Sequence, residues 1–203
     1  MRILAAAIVG IALTHGGAWG ADFVLTSPDL KEGDVIKAEQ VLKGAGCTGE
    51  NVSPELSWSG VPAGAKSFAL TMYDPDAPAS RWHQAKSLVL AVYDPDASTR
   101  RGWLHWVLVN IPANLTSLPK DAGNARAGVA PAGSIQTRTS FGTAGWDGPC
   151  PPQGAKPHHY IFTIYALDLS RLPVDENTSA ISVGFNLYYH TIGKATLTGT
   201  YGR

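Results

Sequence analysis

The chain has 203 residues, of which 44% are hydrophobic and 16% are charged, enough apolar material for one packed core. Basic and acidic side chains number 16 each, so the formal net charge is zero. This balance argues against binding to nucleic acid or electrostatic attachment to an anionic membrane, because no long-range field draws the chain to either. Any anion that the protein binds must therefore be held by local groups.

Residues 1–20 have the pattern of a secretory signal peptide. Arg2 supplies the positive start, an apolar run covers Ile3–Leu13, and small residues end at Gly20. A membrane anchor needs about 20 apolar residues, which this run does not reach. We therefore predict cleavage near Gly20, a single mature domain over 21–203 with no transmembrane segment, and a periplasmic or secreted location.

The chain has two cysteines, Cys47 and Cys150. Export would place both in an oxidising compartment, so we predict that they form a disulfide. Such a bond would close a long loop and add about 2 to 5 kcal/mol to stability. The alternative is that Cys150 is a nucleophile and that His158 is its base.

Short apolar runs rich in β-branched and aromatic residues alternate with turn residues along the chain, which is typical of strands joined by turns. The chain is therefore predicted to be mainly β. The candidate strands, in chain order, are ELSWSG (55–60), SFALTMY (67–73), SLVLAVY (87–93), HWVLVNI (105–111), HYIFTIYALD (159–168) and ATLTGTY (195–201). Residues 114–157 form a long stretch rich in glycine and proline, with few strand signals.

One helix is predicted near the C-terminus, within residues 175–195. Ile181, Phe185, Tyr188 and Ile192 recur at spacings of three and four, after an acidic start and before a glycine. We expect the helix to pack on a sheet through this face.

A strand followed by an Asp-Pro-Asp turn occurs twice, as AKSFALTMYDPDAP (65–78) and AKSLVLAVYDPDAS (85–98). Only one copy can lie beside the His105 strand, because the buried pattern fixes the register. The rest of the chain has one set of candidate partners, which indicates one site. We favour the second copy and Asp94, because its connection to His105 is shorter, and Asp74 is the alternative.

Strand alternation places His158 and Tyr160 on one face of their strand. His105 and Val107 lie on one face of a second strand, so His105, His158 and Tyr160 converge if both faces line the same cavity. Two imidazoles and a phenol can bind an anion, and an aspartate beside them can stabilise a protonated histidine or accept from an ammonium group. The turn DGPCPPQG could bring backbone N–H groups close to a ligand. The alternative is that these histidines only cap strands.

The motifs NVSPELSWSGVPAGAKSFALTMYDPDAP, GWLHWVLVNIP, GPCPPQGAKPHHYIFTIYALD and TSAISVGFNLYYHTIGKATLTGTY together resemble the phosphatidylethanolamine-binding protein family, in its bacterial Raf-kinase-inhibitor-like branch. The resemblance implies a large central antiparallel sheet, a smaller sheet packed on it, a C-terminal helix, and a small cavity for a phosphate-like anion or phospholipid head group. It implies these ligand-binding residues: Asp94 or alternatively Asp74, His105, Gly148, Cys150, Pro151, His158 and Tyr160. The family has one copy of the repeated segment, so the duplication departs from its pattern.

We therefore expect an exported protein that binds a small anionic or phosphorylated ligand without catalysis. The alternative is a protein-interaction module that inhibits a kinase or a peptidase, with a protein partner. A third hypothesis is a hydrolase that uses Asp94 and His105 as an acid/base pair. The chain shows no nucleophile-elbow motif and no metal-ligand cluster, and we expect no cofactor and no metal.

Overall fold

A computed structural model describes residues 22–77 and 102–203, and its regular structure is mainly β. The leader at 1–20 and the second repeat copy at 85–98 lie outside these residues. Signal cleavage and the SLVLAVY strand therefore stay predictions. Among the described residues, no helix is both long and apolar enough to cross a membrane.

The described chain contains ten strands and one helix. In chain order these are β1 (Val24–Thr26), β2 (Lys43–Gly44), β3 (Cys47–Thr48), β4 (Leu56–Ser59), β5 (Ser67–Asp74), β6 (Trp103–Pro112), β7 (Ser117–Leu118), β8 (Ile135–Gln136), β9 (His158–Leu167), α1 (Ala180–His190) and β10 (Thr191–Tyr201). The predicted strands within the described residues are confirmed. The stretch between 114 and 157 contains only the two short strands β7 and β8 and is otherwise irregular, as predicted.

Five antiparallel strands form the large sheet, in the order β10–β9–β5–β6–β8. A smaller sheet has the order β1–β4–β7, and β2 pairs with β3 alone. Because β5 lies between β6 and β9, its last residue, Asp74, is close to the first residues of both neighbours. Asp74 is directly opposite Trp103 of β6. This end of the sheet positions the candidate site.

The apolar core has one part on each face of the large sheet. Between the two sheets, the rings of Trp58 and Phe68 lie 5.3 Å apart, centroid to centroid. On the other face, Val107 packs with Val183 and Leu187 of the helix. The structure is therefore small sheet, large sheet and helix in three layers, which confirms the predicted fold.

The helix lies where the sequence predicts it, but it turns a different face to the sheet. Its buried residues are Val183 and Leu187, whereas Phe185 is 59% exposed and Tyr188 is 62% exposed. The predicted packing face was therefore wrong. Val183 and Leu187 are also four residues apart, so the spacing alone could not choose between two neighbouring stripes of the same helix.

The first copy of the repeat forms β5. It pairs with β6 on one side and with β9 on the other, so it occupies the central position of the large sheet. The expectation that the second copy would lie beside the His105 strand was therefore wrong. Asp94, which belongs to that copy, lies outside the described residues, and Asp74 lies at the end of β5.

Core packing explains this choice. Phe68 and Met72 are fully buried in β5, and the second copy has the smaller Leu88 and Val92 at these positions. If the second copy formed β5 instead, the unused copy would lie in the connection before β5 rather than in the connection after it. The free energy of closing these two connections would change by only about 0.5 kcal/mol. Lost core volume costs about 1 kcal/mol or more at each such position, so packing outweighs loop length.

Candidate functional site

A buried hydrogen bond between an aspartate and a histidine joins β5 and β9 at the end of the sheet. The carboxylate Oδ2 of Asp74 lies 2.7 Å from Nδ1 of His158, and both side chains are almost entirely buried. The other oxygen of Asp74 accepts the backbone N–H groups of Asp76 at 2.8 Å and Ala77 at 3.0 Å. The Asp-Pro-Asp turn thus fixes the carboxylate, and the carboxylate fixes the histidine ring through Nδ1. Among the described residues, no hydrogen bond involves Nε2 of His158.

A β-bulge directs His105 into the same place. The pairing of β5 with β6 passes from Met72 opposite Trp106 to Tyr73 opposite Leu104, so His105 has no residue opposite it. Trp106 packs in the core between the two sheets, whereas Val107 packs in the core beside α1. If side chains alternated strictly along β6, His105 would therefore point toward α1, as Val107 does. The face that strict alternation assigned to His105 was therefore wrong, but the bulge brings His105 to the Tyr160 side, so His105, His158 and Tyr160 do lie together.

The ring of His105 is held by a backbone carbonyl. Its Nδ1 lies 2.6 Å from the carbonyl oxygen of Asp147. A carbonyl only accepts hydrogen bonds, so Nδ1 carries the proton, and in the neutral ring Nε2 is an acceptor. Burial lowers the pKa of His105, and it outweighs the carbonyls of Asp147 and Gly148 and the carboxylate of Asp74, which act to raise it.

Tyr160 lies between the two histidines. Its ring centroid is 5.3 Å from that of His105 and 6.4 Å from that of His158. The hydroxyl is buried and makes no hydrogen bond of ordinary length among the described residues, and the carboxylate of Asp74 interacts with it only weakly over a longer distance. Burial raises the pKa of Tyr160, and the nearby carboxylates of Asp74 and Asp76 raise it further, so the phenol keeps its proton and can donate it to a ligand.

The turn at Gly148 packs tightly against the segment before β2. A Cβ at Gly148 would clash with the carbonyl oxygen of Gln40, so only glycine fits there. Its N–H donates to Oδ1 of Asn51 at 2.9 Å, and the N–H of Asp147 donates to the carbonyl of His105 at 3.1 Å. The expectation that backbone N–H groups of this turn face a ligand is therefore wrong for these two residues, because both groups are already bonded.

Cys150 and Cys47 form a disulfide, as predicted. The bond uses the thiol that the nucleophile alternative required, which excludes that role for Cys150 in this state. The carbonyl of the next residue, Pro151, accepts from Nε of Arg203 at 2.6 Å. These interactions connect the turn to the β2–β3 hairpin and to the C-terminus. None of them connects Cys150 or Pro151 to the rings of His105, His158 and Tyr160.

Three residues at the site were missed in the sequence. Asn51 braces the Gly148 turn, the Asp147 carbonyl orients His105, and the ring of Phe141 lies 5.4 Å from that of His105. Asp147 and Phe141 belong to the irregular stretch, where periodicity carries no information. No group of three or more potential metal ligands occurs within residues 22–77 and 102–203.

Comparison with known proteins gives a consistent result. A sequence model of the phosphatidylethanolamine-binding protein family matches residues 26–85 and 79–202, so each matched segment contains one copy of the repeat. UPF0098 protein YbcL of Escherichia coli K12 is 44% identical over 191 residues, which cover 94% of this chain and 93% of the relative. YbhB of the same organism is 43% identical over 177 residues, with coverages of 87% and 98%.

A more distant relative and a solved structure extend this comparison. The protein LppC of Mycobacterium tuberculosis, named as a lipoprotein, is 31% identical over 177 residues, with coverages of 87% and 71%. The crystal structure of E. coli YbcL, described as a new member of the mammalian PEBP family, matches with a TM-score of 0.78. That match covers 90% of this chain and 99% of YbcL.

Proposed function

Because this chain belongs to the phosphatidylethanolamine-binding protein family, we propose that it is an exported binding protein for a phosphate-like anion or a phospholipid head group. The ligand lies against Asp74, His105, His158 and Tyr160, and no reaction takes place there. The observation that carries this proposal is the Tyr160 hydroxyl, which is buried, makes no hydrogen bond of ordinary length among the described residues, and belongs to a ring that lies beside those of two histidines. An unpaired buried donor costs about 1 to 3 kcal/mol, which a ligand oxygen recovers.

The aspartate–histidine pair supplies a second donor. When His158 is protonated, its Nδ1–H donates to Asp74 and its Nε2–H is available to an anion. The carboxylate of Asp74 fixes the orientation of this ring through Nδ1, so Asp74 acts on the ligand through His158. Asp74 is thus a positioning residue, and its own oxygens are occupied by the pair and by the turn.

Three observations support export. The Cys47–Cys150 disulfide is a feature of proteins in oxidising compartments. The leader sequence at 1–20 has the pattern of a signal peptide, and the relative LppC is named as a lipoprotein.

The hydrolase hypothesis paired Asp94 with His105. Among the described residues, the carboxylate–histidine hydrogen bonds at this end of the sheet join Asp74 to His158 and Asp76 to His159, whereas Nδ1 of His105 is bonded to a backbone carbonyl. We therefore favour binding over catalysis.

Calorimetric titration of phosphorylethanolamine into the purified protein tests the proposal. We expect saturable binding that is lost in His158→Ala and weakened in Asp74→Ala. Asp94→Ala is the matched control, because it changes the same motif in the other copy, and it should bind like the wild type. The titrated samples are also assayed for inorganic phosphate, and none should be released. A folded wild-type protein that gives a flat titration would overturn the proposal.

One observation favours the protein-interaction alternative. The aromatic side chains of Phe185 and Tyr189 are exposed on α1, and their rings lie 4.8 Å apart. The helix is at the other end of β9 from His158, because the N–H of Asp168 donates to the carbonyl of His190. A partner bound there would be lost in Phe185→Ala and retained in His158→Ala, which separates the two surfaces.

A further inference from the structure

The site contains an acceptor as well as donors. The carbonyl of Asp147 lies 2.6 Å from Nδ1 of His105 and accepts a hydrogen bond from its N–H. In the neutral ring, Nε2 therefore carries a lone pair and is an acceptor. The carbonyl of Gly148 also lies near the ring, but no hydrogen bond of ordinary length involves this Nε2 among the described residues. The Tyr160 hydroxyl, on the ring 5.3 Å away, is a donor whose weak, long interaction with the Asp74 carboxylate leaves it without a hydrogen bond of ordinary length. A ligand that satisfies both must accept one hydrogen bond and donate another.

The charges around the site point the same way. The neighbouring charged or titratable groups that most affect His105 and Tyr160 belong to Asp74, Asp76, His158 and Tyr201, and none of these is a lysine or an arginine. A fully deprotonated anion would lie near the carboxylates of Asp74 and Asp76, each hydrogen-bonded to a histidine, with no permanent cation among these neighbours. A proton on the ligand reduces this repulsion.

We propose that the site selects a phosphate group that still carries a proton, as hydrogen phosphate or a phosphate monoester, over anions that cannot donate. The inference rests on the proposed function. The P–O–H group donates to Nε2 of His105, and an unprotonated phosphate oxygen accepts from Tyr160. Burial, which lowers the pKa of His105, keeps this ring neutral and therefore keeps Nε2 an acceptor.

Two pairs of ligands measure the contribution of the ligand's proton to affinity, because the members of each pair have the same shape and charge and only one of them carries a proton. Methylphosphonate monoanion is compared with methanesulfonate at mildly acidic pH, and hydrogen phosphate with sulfate at mildly alkaline pH. Calorimetry on the wild-type protein should show the sulfur ligands binding roughly 10- to 100-fold more weakly, since an unpaired acceptor then faces an oxyanion. Equal binding within each pair would overturn the inference while the proposed function stands. If neither member of either pair binds, and phosphorylethanolamine does not bind, the proposed function fails as well.

A third comparison distinguishes a free phosphate monoester from a lipid head group. Phosphorylethanolamine is a monoester, whereas glycerophosphorylethanolamine is a diester that keeps the ammonium group and has no P–O–H. At mildly acidic pH the monoester keeps one P–O–H group and has the same net charge as the diester, so it should bind at least about 10-fold more tightly. If the diester binds as tightly, the proton on the phosphate does not determine the affinity. That result would favour the intact lipid head group as the ligand.

A variant identifies the acceptor. In His105→Gln, the amide can turn its NH₂ group toward the ligand, so the preference for methylphosphonate over methanesulfonate should shrink several-fold. His190→Gln, at the far end of β9, is the control and should keep the wild-type preference. A His105→Gln protein that folds, binds methylphosphonate and keeps the full preference would overturn the assignment of Nε2.

Discussion

The backbone N–H of Gly102 donates to the carbonyl of Ala77 over 3.0 Å, although residues 78–101 lie between them in the sequence. The two residues lie beside the last pair of the β5–β6 ladder, Asp74 opposite Trp103. The connection that carries the second repeat copy therefore leaves and rejoins the described fold at one point. Removing most of this connection leaves the same two ends to be joined.

Deleting residues 78–97 should leave a folded protein. Only Ser98–Arg101 would then join Ala77 to Gly102, and the shorter connection lowers the closure cost by about 1.6 kcal/mol. The site residues Asp74 and His158 are untouched. We expect unchanged or higher stability in urea unfolding and unchanged binding of phosphorylethanolamine. Loss of folding would mean that the second copy takes part in the fold.

Deleting residues 65–84 instead gives a matched chain of the same length, in which the second copy follows Gly64. The two deletion variants differ only at the positions of Phe68, Ala69, Thr71 and Met72, where the second copy has Leu88, Val89, Ala91 and Val92. We expect the second variant to be less stable by about 1 to 3 kcal/mol, because core volume is lost at Phe68 and Met72 and because the fully buried Ala69 becomes the larger valine. Equal stability in urea would contradict our packing explanation for why the first copy forms β5.

Removing the disulfide should destabilise the protein. The bond joins residues 103 positions apart, and a Cys47→Ser/Cys150→Ser variant should lose about 2 to 5 kcal/mol of unfolding free energy. Urea unfolding with and without reductant measures this. Reductant should destabilise the wild type and leave the double variant unchanged. A reductant effect of similar size on both proteins would exclude the disulfide as its cause.

The free energy of unfolding should decrease as the pH is lowered below the ordinary pKa of histidine. Burial lowers the pKa of His105 from 6.5, so below that pH the unfolded chain binds a proton that the folded protein does not. The free energy of unfolding then decreases with decreasing pH, by at most about 1.4 kcal/mol per pH unit for one group.

Urea unfolding from mildly alkaline to mildly acidic pH measures this slope. His105→Gln should show a shallower slope than the wild type, because the group that binds the proton only in the unfolded chain is gone. His190→Gln controls for the removal of a histidine elsewhere. A His105→Gln profile parallel to that of the wild type would contradict the prediction.

The helix offers a test of which face is buried. Leu187→Ala removes a side chain packed against the large sheet and should cost about 2 to 5 kcal/mol. Phe185→Ala, two residues earlier on the exposed face, should change stability by less than about 0.5 kcal/mol. Thermal unfolding of the two variants compares them, and a reversed order would show that α1 packs through the other stripe.

Local patterns in the sequence were sufficient for several features. The strand runs, the helix and the family motifs were recognised, and His158 and Tyr160 do lie on one face of β9, because alternation along a single strand is a local property. The Cys47–Cys150 pairing followed from there being only two cysteines in a chain expected to be exported.

Three features were decided by the tertiary structure. The helix packs on the large sheet through Val183 and Leu187. Two neighbouring rows of apolar residues on the helix have equivalent spacing, and contact with the sheet determines which row is buried. The first copy forms β5, because its larger side chains fill the core between the sheets. His105 joins the site through a bulge, since a register shift depends on the neighbouring strand and leaves no mark in the alternation of β6 itself. In each case the sequence permits two arrangements of similar local energy, and long-range packing selects one of them.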